Sequence, residues 1–273
     1  MILSADSRQF YKELNIGTAK PTENQLKETK HYFINTKHIN ELYGAGHYEK
    51  DVLNMLEILF KVHELVFLVG GSGLYIDAVL NGVDDFVEVP ADVRENLKKK
   101  FEERGLDWLQ QELRQKDVLY FNAVDINNPQ RLIRALEVIE HTGQPYSSFL
   151  KKKQTERSFT PIKILINLER QELYSRINRR VDTMMQEGLL EEIKFLAPHK
   201  HFNALKTVGY KELYEYLDGN SSLEESVEKI KQHTRNYAKR QITWFKNKDD
   251  FEEFNPTDFA KISSYIDIIM SHA

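Results

Sequence analysis

The sequence predicts an α/β protein whose parallel sheet is interrupted by a helical insertion. Three short apolar runs have the character of buried strands, at residues 2–3, 65–71 and 162–168. They alternate with long stretches of helical periodicity, which is typical of parallel strands joined by crossover helices. Residues 90–155 differ, because they are charged and poor in strand signals, and their periodicity indicates amphipathic helices.

These patterns predict two domains. Residues 1–89 and 156–273 form the core, and residues 90–155 form the helical insertion. A chain of 273 residues is long enough for one large hydrophobic core or two smaller ones.

The clearest helix of the insertion is the segment "NPQRLIRALEVIEHTG". Leu132, Leu136 and Ile139 share one face of this helix, and Gly143 supplies the stop. We therefore expect that face to be buried.

The chain after Arg170 is nearly all helical in its pattern. Its first helix carries an apolar stripe that includes Ile177 and Val181, and Gly188 interrupts the pattern near the end of that helix. The tail after Asn247 has the pattern of a closing strand and helix.

Composition excludes several classes of protein. The net charge of −4 argues against coating by nucleic acid but allows a local basic surface. The absence of cysteine excludes disulfides, thiolate metal sites and cysteine nucleophiles. No apolar run is long enough to span a membrane, and the start lacks the layout of a secretory signal. We expect a soluble cytoplasmic protein without a membrane partner.

Two polar segments follow predicted strands. Asp6 comes just after the first strand, at the sheet edge where open α/β sheets bind ligands, although Asp6 or Ser7 could equally cap a helix. The segment "LVGGSGLY" is a strand, a glycine turn and a helix, which suits an anion or a nucleotide but also a purely structural turn. The phosphate-binding pattern GxxxxGK[ST] is absent from the sequence.

Arginines on predicted helices are the other candidates. Arg176 and Arg180 are four residues apart on one side of a helix, which suits a diphosphate or an RNA backbone. A solvated face paired with glutamates is the alternative. The segments "NPQRLIR" and "RNYAKRQITWF" combine cations with an amide or with aromatic rings, which can hold phosphates and stack bases, although such aromatics also occur in cores.

Six segments in this order resemble the tRNA dimethylallyltransferase (isopentenyltransferase) family. They are "SADSRQFYKELNIGTAKP", "VGGSGLYIDAVLNG", "NPQRLIRALEVIEHTGQP", "RINRRVDTMMQEGLLEEI", "VGYKELYEYLDG" and "RNYAKRQITWF". The likeness extends from Ile2 to about Lys246. It implies a P-loop-kinase-like core and a helical insertion that helps to clamp the anticodon stem-loop of tRNA.

The resemblance also implies a reaction. The family transfers a dimethylallyl group from dimethylallyl diphosphate to N6 of adenosine 37 in tRNAs that read codons beginning with U. It implies a monomer that uses Mg²⁺, with the ligands of the metal left open.

Individual roles follow by motif match. Asp6 corresponds to the general base, Arg180 to the arginine that grips the diphosphate together with Arg176, and Ser72 stands where the family usually has Thr. The positions implied to contact tRNA are Asp6, Ser7, Arg8, Gln9, Ser72, Arg94, Gln130, Arg131, Leu132, Ile133, Arg134, Lys206, Thr207, Val208, Gly209, Tyr210 and Lys211.

One part of the family pattern is missing. In the family a first strand, a phosphate-binding loop GPTxxGK[ST] and a first helix precede the Asp6 block, and this sequence contains none of them. That loop cradles the donor phosphates, and the strand belongs in the middle of the sheet. A start codon assigned too late, a shortened chain or a degenerate paralogue would each explain this. We expect a truncated enzyme, and little or no transferase activity from these 273 residues alone.

Two other functions remain open. A paralogue could hold the anticodon loop of tRNA without chemistry, and an in-frame stop codon upstream would favour it over the enzyme. A small-molecule nucleotide kinase or an adenylate-prenylating relative could share the core, but the insertion and the segments at Gln130 and Lys206 argue against it.

Overall fold

The computed structural model describes residues 1–83, 87–150, 156–248 and 250–272. The chain divides into two compact units, one made of 1–81 with 157–273 and the other of 82–156. We call them the core unit and the helical unit. The predicted end of the insertion, residue 155, lies outside the described residues.

The helices and strands follow one another along both units. In chain order they are β1 (Ile2–Ser4), α1 (Glu23–Glu28), β2 (His31–Tyr32), α2 (Ala45–Leu59), β3 (Phe67–Val69), α3 (Gly73–Asn81), α4 (Ala91–Lys116), α5 (Val118–Ala123), α6 (Pro129–Thr142), β4 (Ile164–Ile166), α7 (Arg170–Gln186), α8 (Leu189–Leu196), α9 (Tyr210–Leu217), α10 (Leu223–Lys246), β5 (Glu252–Phe254) and α11 (Phe259–Met270).

The core unit contains parallel strands, as the sequence predicts. The order in its three-stranded sheet is β2-β1-β3, and Ile2 pairs with both His31 and Phe67. A second sheet contains β4 and β5, also parallel. The predicted α/β class is confirmed, and so are the strand and helix of the tail.

The prediction that all apolar runs form buried strands was wrong for β3 and for the end of β4. Phe67 and Val69 are 43% and 53% exposed, and Ile166 is 50% exposed. Among the described residues, β3 ends its sheet and β4 pairs with β5 instead of joining that sheet. An apolar run favours a strand, but burial depends on neighbours that the run itself does not specify.

Apolar contacts fix both ends of the loop after β1. Leu3 and Ala5 are fully buried in a cluster with residues of α2 and α3, and Phe10 is fully buried in a second cluster with residues of α8 and α9. The residues between them, 6–9, are half-buried. A short polar segment is therefore held between two anchored ends.

The helical unit packs α6 against α4, which bends at Gly105 where φ is +76°. Leu132 and Leu136 are fully buried, and Ile139 is 8% exposed, which confirms the predicted apolar face of α6. Gly143 ends this helix with φ of +70°, a conformation that side chains disfavour. Within the described residues, no helix is both long and apolar enough to cross a lipid bilayer.

Candidate active site

The Asp6 carboxylate is held by the loop that follows β1. Its Oδ1 accepts hydrogen bonds from the backbone N–H groups of Arg8, at 2.8 Å, and Gln9, at 3.3 Å. Since the side chain bonds to its own loop, the direction of the carboxylate is fixed before any ligand arrives.

The glycine turn after β3 lies directly against the Asp6 loop. Ser72 Oγ accepts a hydrogen bond from the Ser7 N–H at 2.9 Å, and the Ser72 N–H donates to the Ala5 carbonyl at 3.3 Å. A Cβ at Gly70 would lie 2.3 Å from the Ala5 oxygen, so no larger residue fits there. The structure thus brings together the two segments that follow neighbouring parallel strands.

Helix α10 supports the other side of the glycine turn. Gln241 Nε2 donates to the Gly71 carbonyl at 2.9 Å, and a Cβ at Gly73 would lie 2.5 Å from the Trp244 ring. The sequence of this part of α10 suggested base stacking or core packing, and its contacts with the glycine turn were not predicted. The spacing of three residues between Gln241 and Trp244, which puts both on one helix side, was the available signal.

Arg180 of α7 lies close enough to Asp6 for their charges to interact. Although much of its side chain is exposed, desolvation lowers the pKa of the Arg180 guanidinium, and the negative charge of Asp6 opposes that shift. Arg176 is exposed one turn earlier on the same side of α7. Folding therefore brings the charges of Asp6 and Arg180 within range of each other, although the residues are 174 positions apart in sequence.

Two tyrosines near Asp6, the fully buried Tyr48 and the half-buried Tyr75, were not among the predicted site residues. Burial raises the pKa of Tyr75 to about 12, with the Asp6 charge adding to the rise and the Arg8 charge opposing it. Burial and then the charges of Tyr75 and Asp6 also raise the pKa of Tyr48, whose hydroxyl donates to the Ser4 carbonyl at 2.8 Å. Both phenols are therefore neutral at physiological pH.

Comparison with known proteins identifies the family of this chain. The model of a family described as IPP transferase matches residues 9–248.

The chain belongs to the IPP transferase family.

Several relatives of known name support this assignment and confirm the resemblance seen in the sequence. The chain is 49% identical to tRNA dimethylallyltransferase 1 of Phocaeicola vulgatus, over 97% of this chain and 88% of that protein. The solved tRNA isopentenylpyrophosphate transferase of Bacillus halodurans is 35% identical, with a TM-score of 0.68 over 99% of this chain and 87% of that one.

A more distant solved structure is similar in fold. It is a eukaryotic dimethylallyltransferase described as acting on tRNA, 24% identical, with a TM-score of 0.77 over 95% of this chain and 68% of that one.

The amide of Gln9 in this family member is occupied inside the protein. Its Nε2 donates to the carbonyls of Thr18 and Ala19, at 3.3 and 3.2 Å, and its Oε1 accepts from Ser4 Oγ at 2.9 Å. The resemblance implies that the segment holds a flipped base. In this structure the Gln9 side chain fastens the loop through these bonds.

The segment 206–211 of the core unit has an exposed and a buried part. Lys206 and Lys211 are exposed, whereas the Gly209 N–H donates to Glu212 Oε2 at 2.8 Å and Tyr210 is fully buried. Thr207 and Val208 are half-buried. The segment therefore presents its two lysines to solvent, whereas Tyr210 is part of the core.

Two predicted tRNA-contacting arginines of the helical unit pair with one buried carboxylate. Arg94 donates to both oxygens of Glu137, at 2.6 and 2.9 Å, and this bond raises the pKa of Arg94. Arg134 approaches the same carboxylate at 3.5 Å and donates to the Val87 carbonyl at 3.0 Å. Both guanidiniums thus stabilise their own unit.

The predicted tRNA contacts at the start of α6 also include both buried and exposed residues. Leu132 and Ile133 are buried in the core of the helical unit, with exposed fractions of 0% and 9%. Gln130 and Arg131 are exposed. They line a cavity of about 440 Å³ together with Tyr120, Ala123, Val124, Asn128, Arg134 and Tyr146.

Proposed function

We propose that this protein transfers a dimethylallyl group from dimethylallyl diphosphate to N6 of adenosine 37 in tRNAs that read codons beginning with U. Family membership and the names of the relatives support the reaction type. The observation that carries the proposal for these residues is an oriented Asp6 carboxylate whose charge interacts with the Arg180 guanidinium.

Asp6 acts as the general base. The lone pair of adenine N6 is delocalised into the ring, so N6 attacks an allylic carbon only as its proton leaves. The new bond joins N6 to C1 of the dimethylallyl group, the bond from C1 to the diphosphate oxygen breaks, and the N6 proton moves to Asp6. The two N–H bonds to Asp6 Oδ1 keep the carboxylate in position during this step.

Arg180 stabilises the departing diphosphate. Negative charge grows on that group as the C–O bond breaks, and a guanidinium can donate two parallel hydrogen bonds to phosphate oxygens. Arg176, one turn away on the same side of α7, adds a second positive charge for the donor.

The tRNA contacts come from exposed polar groups of both units. In the core unit these are Lys206 and Lys211, and in the helical unit, which we propose to clamp the anticodon stem-loop, they are Gln130 and Arg131. Ser7, Arg8 and Ser72 form the wall against which the flipped adenine rests. A flipped base exposes its edge to such groups.

We further propose that Mg²⁺ accompanies the donor. Among the described residues, His, Asp and Glu form no group of three that could hold an ion. Mg²⁺ usually retains several waters and binds substrate phosphates with one or two carboxylates, so the diphosphate itself supplies oxygen ligands. We place the reaction in the cytoplasm and expect a monomer to perform it.

The test is a transfer assay with tRNA lacking the modification, dimethylallyl diphosphate and Mg²⁺, read by mass spectrometry of the nucleosides. It is run on the 273-residue chain and on the product of the reading frame extended upstream. We expect prenylated adenosine in at least one of these, and loss of about 10²-fold or more in its Asp6→Asn variant. Glu28→Gln, an exposed acid at the end of α1, serves as the control.

Two results would contradict the proposal. If neither protein transfers the group while both bind tRNA, the family fold is used here only to hold RNA. If neither binds tRNA, a small-molecule substrate becomes the better hypothesis. Kinetic measurements on variants use whichever of the two proteins transfers the group.

A further inference from the structure

Glu192 of α8 is a half-buried carboxylate with no role in the reaction proposed above. Its Oε2 accepts hydrogen bonds from the backbone N–H groups of Ile16, at 2.7 Å, and Asn15, at 3.2 Å. Its Oε1 accepts from the Gly17 N–H at 3.3 Å and from the Tyr210 hydroxyl at 2.6 Å. Three consecutive backbone N–H groups therefore converge on one carboxylate of the protein itself, an arrangement that suits an anion.

The turn that Glu192 holds is connected to Asp6. Directly after the turn, the carbonyls of Thr18 and Ala19 accept hydrogen bonds from the Gln9 side chain. The Gln9 N–H in turn donates to Asp6 Oδ1. If the turn moves, Gln9 is therefore displaced with it, and the backbone of Gln9 is bonded to the proposed base, Asp6.

The same carboxylate is connected to the segment that carries Lys206 and Lys211. Tyr210 lies in that segment, and its ring packs so closely on the turn that a Cβ at Gly17 would lie 2.5 Å from it. Desolvation is the main cause of the raised pKa of the Tyr210 hydroxyl, and the charge and the hydrogen bond of Glu192 raise it further. The hydroxyl therefore stays a donor.

We propose that Glu192 is a positioning residue that fixes Asp6 and the segment 206–211 relative to each other. This inference rests on the proposed function, because its consequence is the alignment of the base with the bound tRNA. This role requires no contact between Glu192 and either substrate. It acts through the turn at 15–17 and through Tyr210.

The first experiment compares Glu192→Ala and Glu192→Gln with Glu191→Gln, a matched control whose exposed side chain pairs with Lys194 on the surface. We expect Glu192→Ala to lower kcat by about 10- to 100-fold, because small displacements of a reacting group have effects of this size. The KM for the donor should change less than threefold. Glu192→Gln keeps one acceptor oxygen and should give a smaller loss, and the control should match the wild type.

The second experiment follows hydrogen exchange at the N–H groups of residues 15–17 and tests the contact without any transfer. These amides should exchange at least tenfold faster in Glu192→Ala, while Tyr210→Phe, which removes only the hydroxyl, should leave them protected. All rates are measured well below the unfolding temperature of each variant. A variant that does not fold is replaced by Glu192→Gln.

The outcomes separate the possible failures. Faster exchange with unchanged kcat would mean that Glu192 only stabilises the fold, and would overturn the positioning role. Unchanged exchange would overturn the contact itself. If the wild type transfers no dimethylallyl group, the proposed function fails and so does the catalytic consequence, while the exchange rates still decide the contact.

Discussion

Two arginines of the helical unit and one arginine of the core unit differ in how the protein uses them. In the helical unit, Arg94 and Arg134 both pair with the buried Glu137, so one carboxylate of the protein engages two guanidiniums. In the core unit, Arg180 is exposed and interacts with Asp6 through its charge, without an ion pair shorter than 4 Å among the described residues. An arginine is available to a ligand only where the protein leaves its hydrogen-bonding groups unused.

The largest effect that tests this difference is expected at Arg180. Replacing it by Gln removes the charge that we propose to stabilise the departing diphosphate, and kcat should fall by about 10²-fold. Arg179→Gln, at an exposed neighbouring position on α7, should change kcat less than threefold. Steady-state kinetics with saturating tRNA measure both variants, and an equal loss in the two would argue that the helix contributes only general positive charge.

Arg94 should behave in the opposite manner. Arg94→Gln leaves the buried Glu137 with a weakened partner, and the free energy of unfolding should fall by about 1–3 kcal/mol. Arg134 still approaches the same carboxylate, which limits the loss. Chemical denaturation measures the change, with Lys98→Gln on the exposed side of α4 as the control. A normal stability with weakened tRNA binding would instead show that Arg94 serves the RNA directly.

The exposed lysines of segment 206–211 should affect binding alone. Changing both Lys206 and Lys211 to Gln should weaken tRNA binding several-fold and lower the slope of log K against log salt by about 2, because each contact releases about one counterion. Lys229→Gln, exposed on α10, is the single-site control. An unchanged salt slope would place the RNA elsewhere on the core unit.

The smallest expected effect is the contribution of Lys20 to the pH dependence of the free energy of unfolding. Desolvation lowers its pKa to about 8 from an ordinary value of 10.5, although the charges of Glu192 and Glu13 oppose the shift. Between these two values the unfolded chain binds more protons than the folded one, so this group makes stability rise with pH.

The Lys20→Met variant lacks that rise. The free energy of unfolding of the wild type, relative to Lys20→Met, should therefore be higher at pH 9.5 than at pH 7.5. Denaturation at both pH values measures it, and Lys27→Met on α1 should show no such difference. If the difference in the free energy of unfolding between wild type and Lys20→Met is the same at both pH values, the wild-type Lys20 ammonium is well solvated in the folded protein.

Features that depend on neighbouring residues in sequence were predictable. The buried face of α6 follows from the spacing of Leu132, Leu136 and Ile139, and its end follows from Gly143. The position of Asp6 after a parallel strand also follows, because strand ends at one sheet edge are where polar loop residues gather. The family segments supplied the separate roles of Asp6 and Arg180, and their proximity came only from the structure.

Features that depend on residues far apart in sequence were not predictable. Gln241 reaches Gly71 across 170 positions, and Glu192 reaches Ile16 across 176. Burial of Glu137 could not be foreseen either, since a glutamate on a helix is usually solvated. The exposure of β3 is the converse case, where an apolar strand lacks a covering neighbour among the described residues.

By itself, the sequence determined the α/β class, the apolar helix faces and the family to which the chain belongs. Only the tertiary structure decided which cations face solvent, which pair with buried carboxylates, and how Glu192 ties two distant segments together. The physical reason is that periodicity and turn chemistry act over a few residues, whereas charge balance and close packing depend on groups that folding brings together.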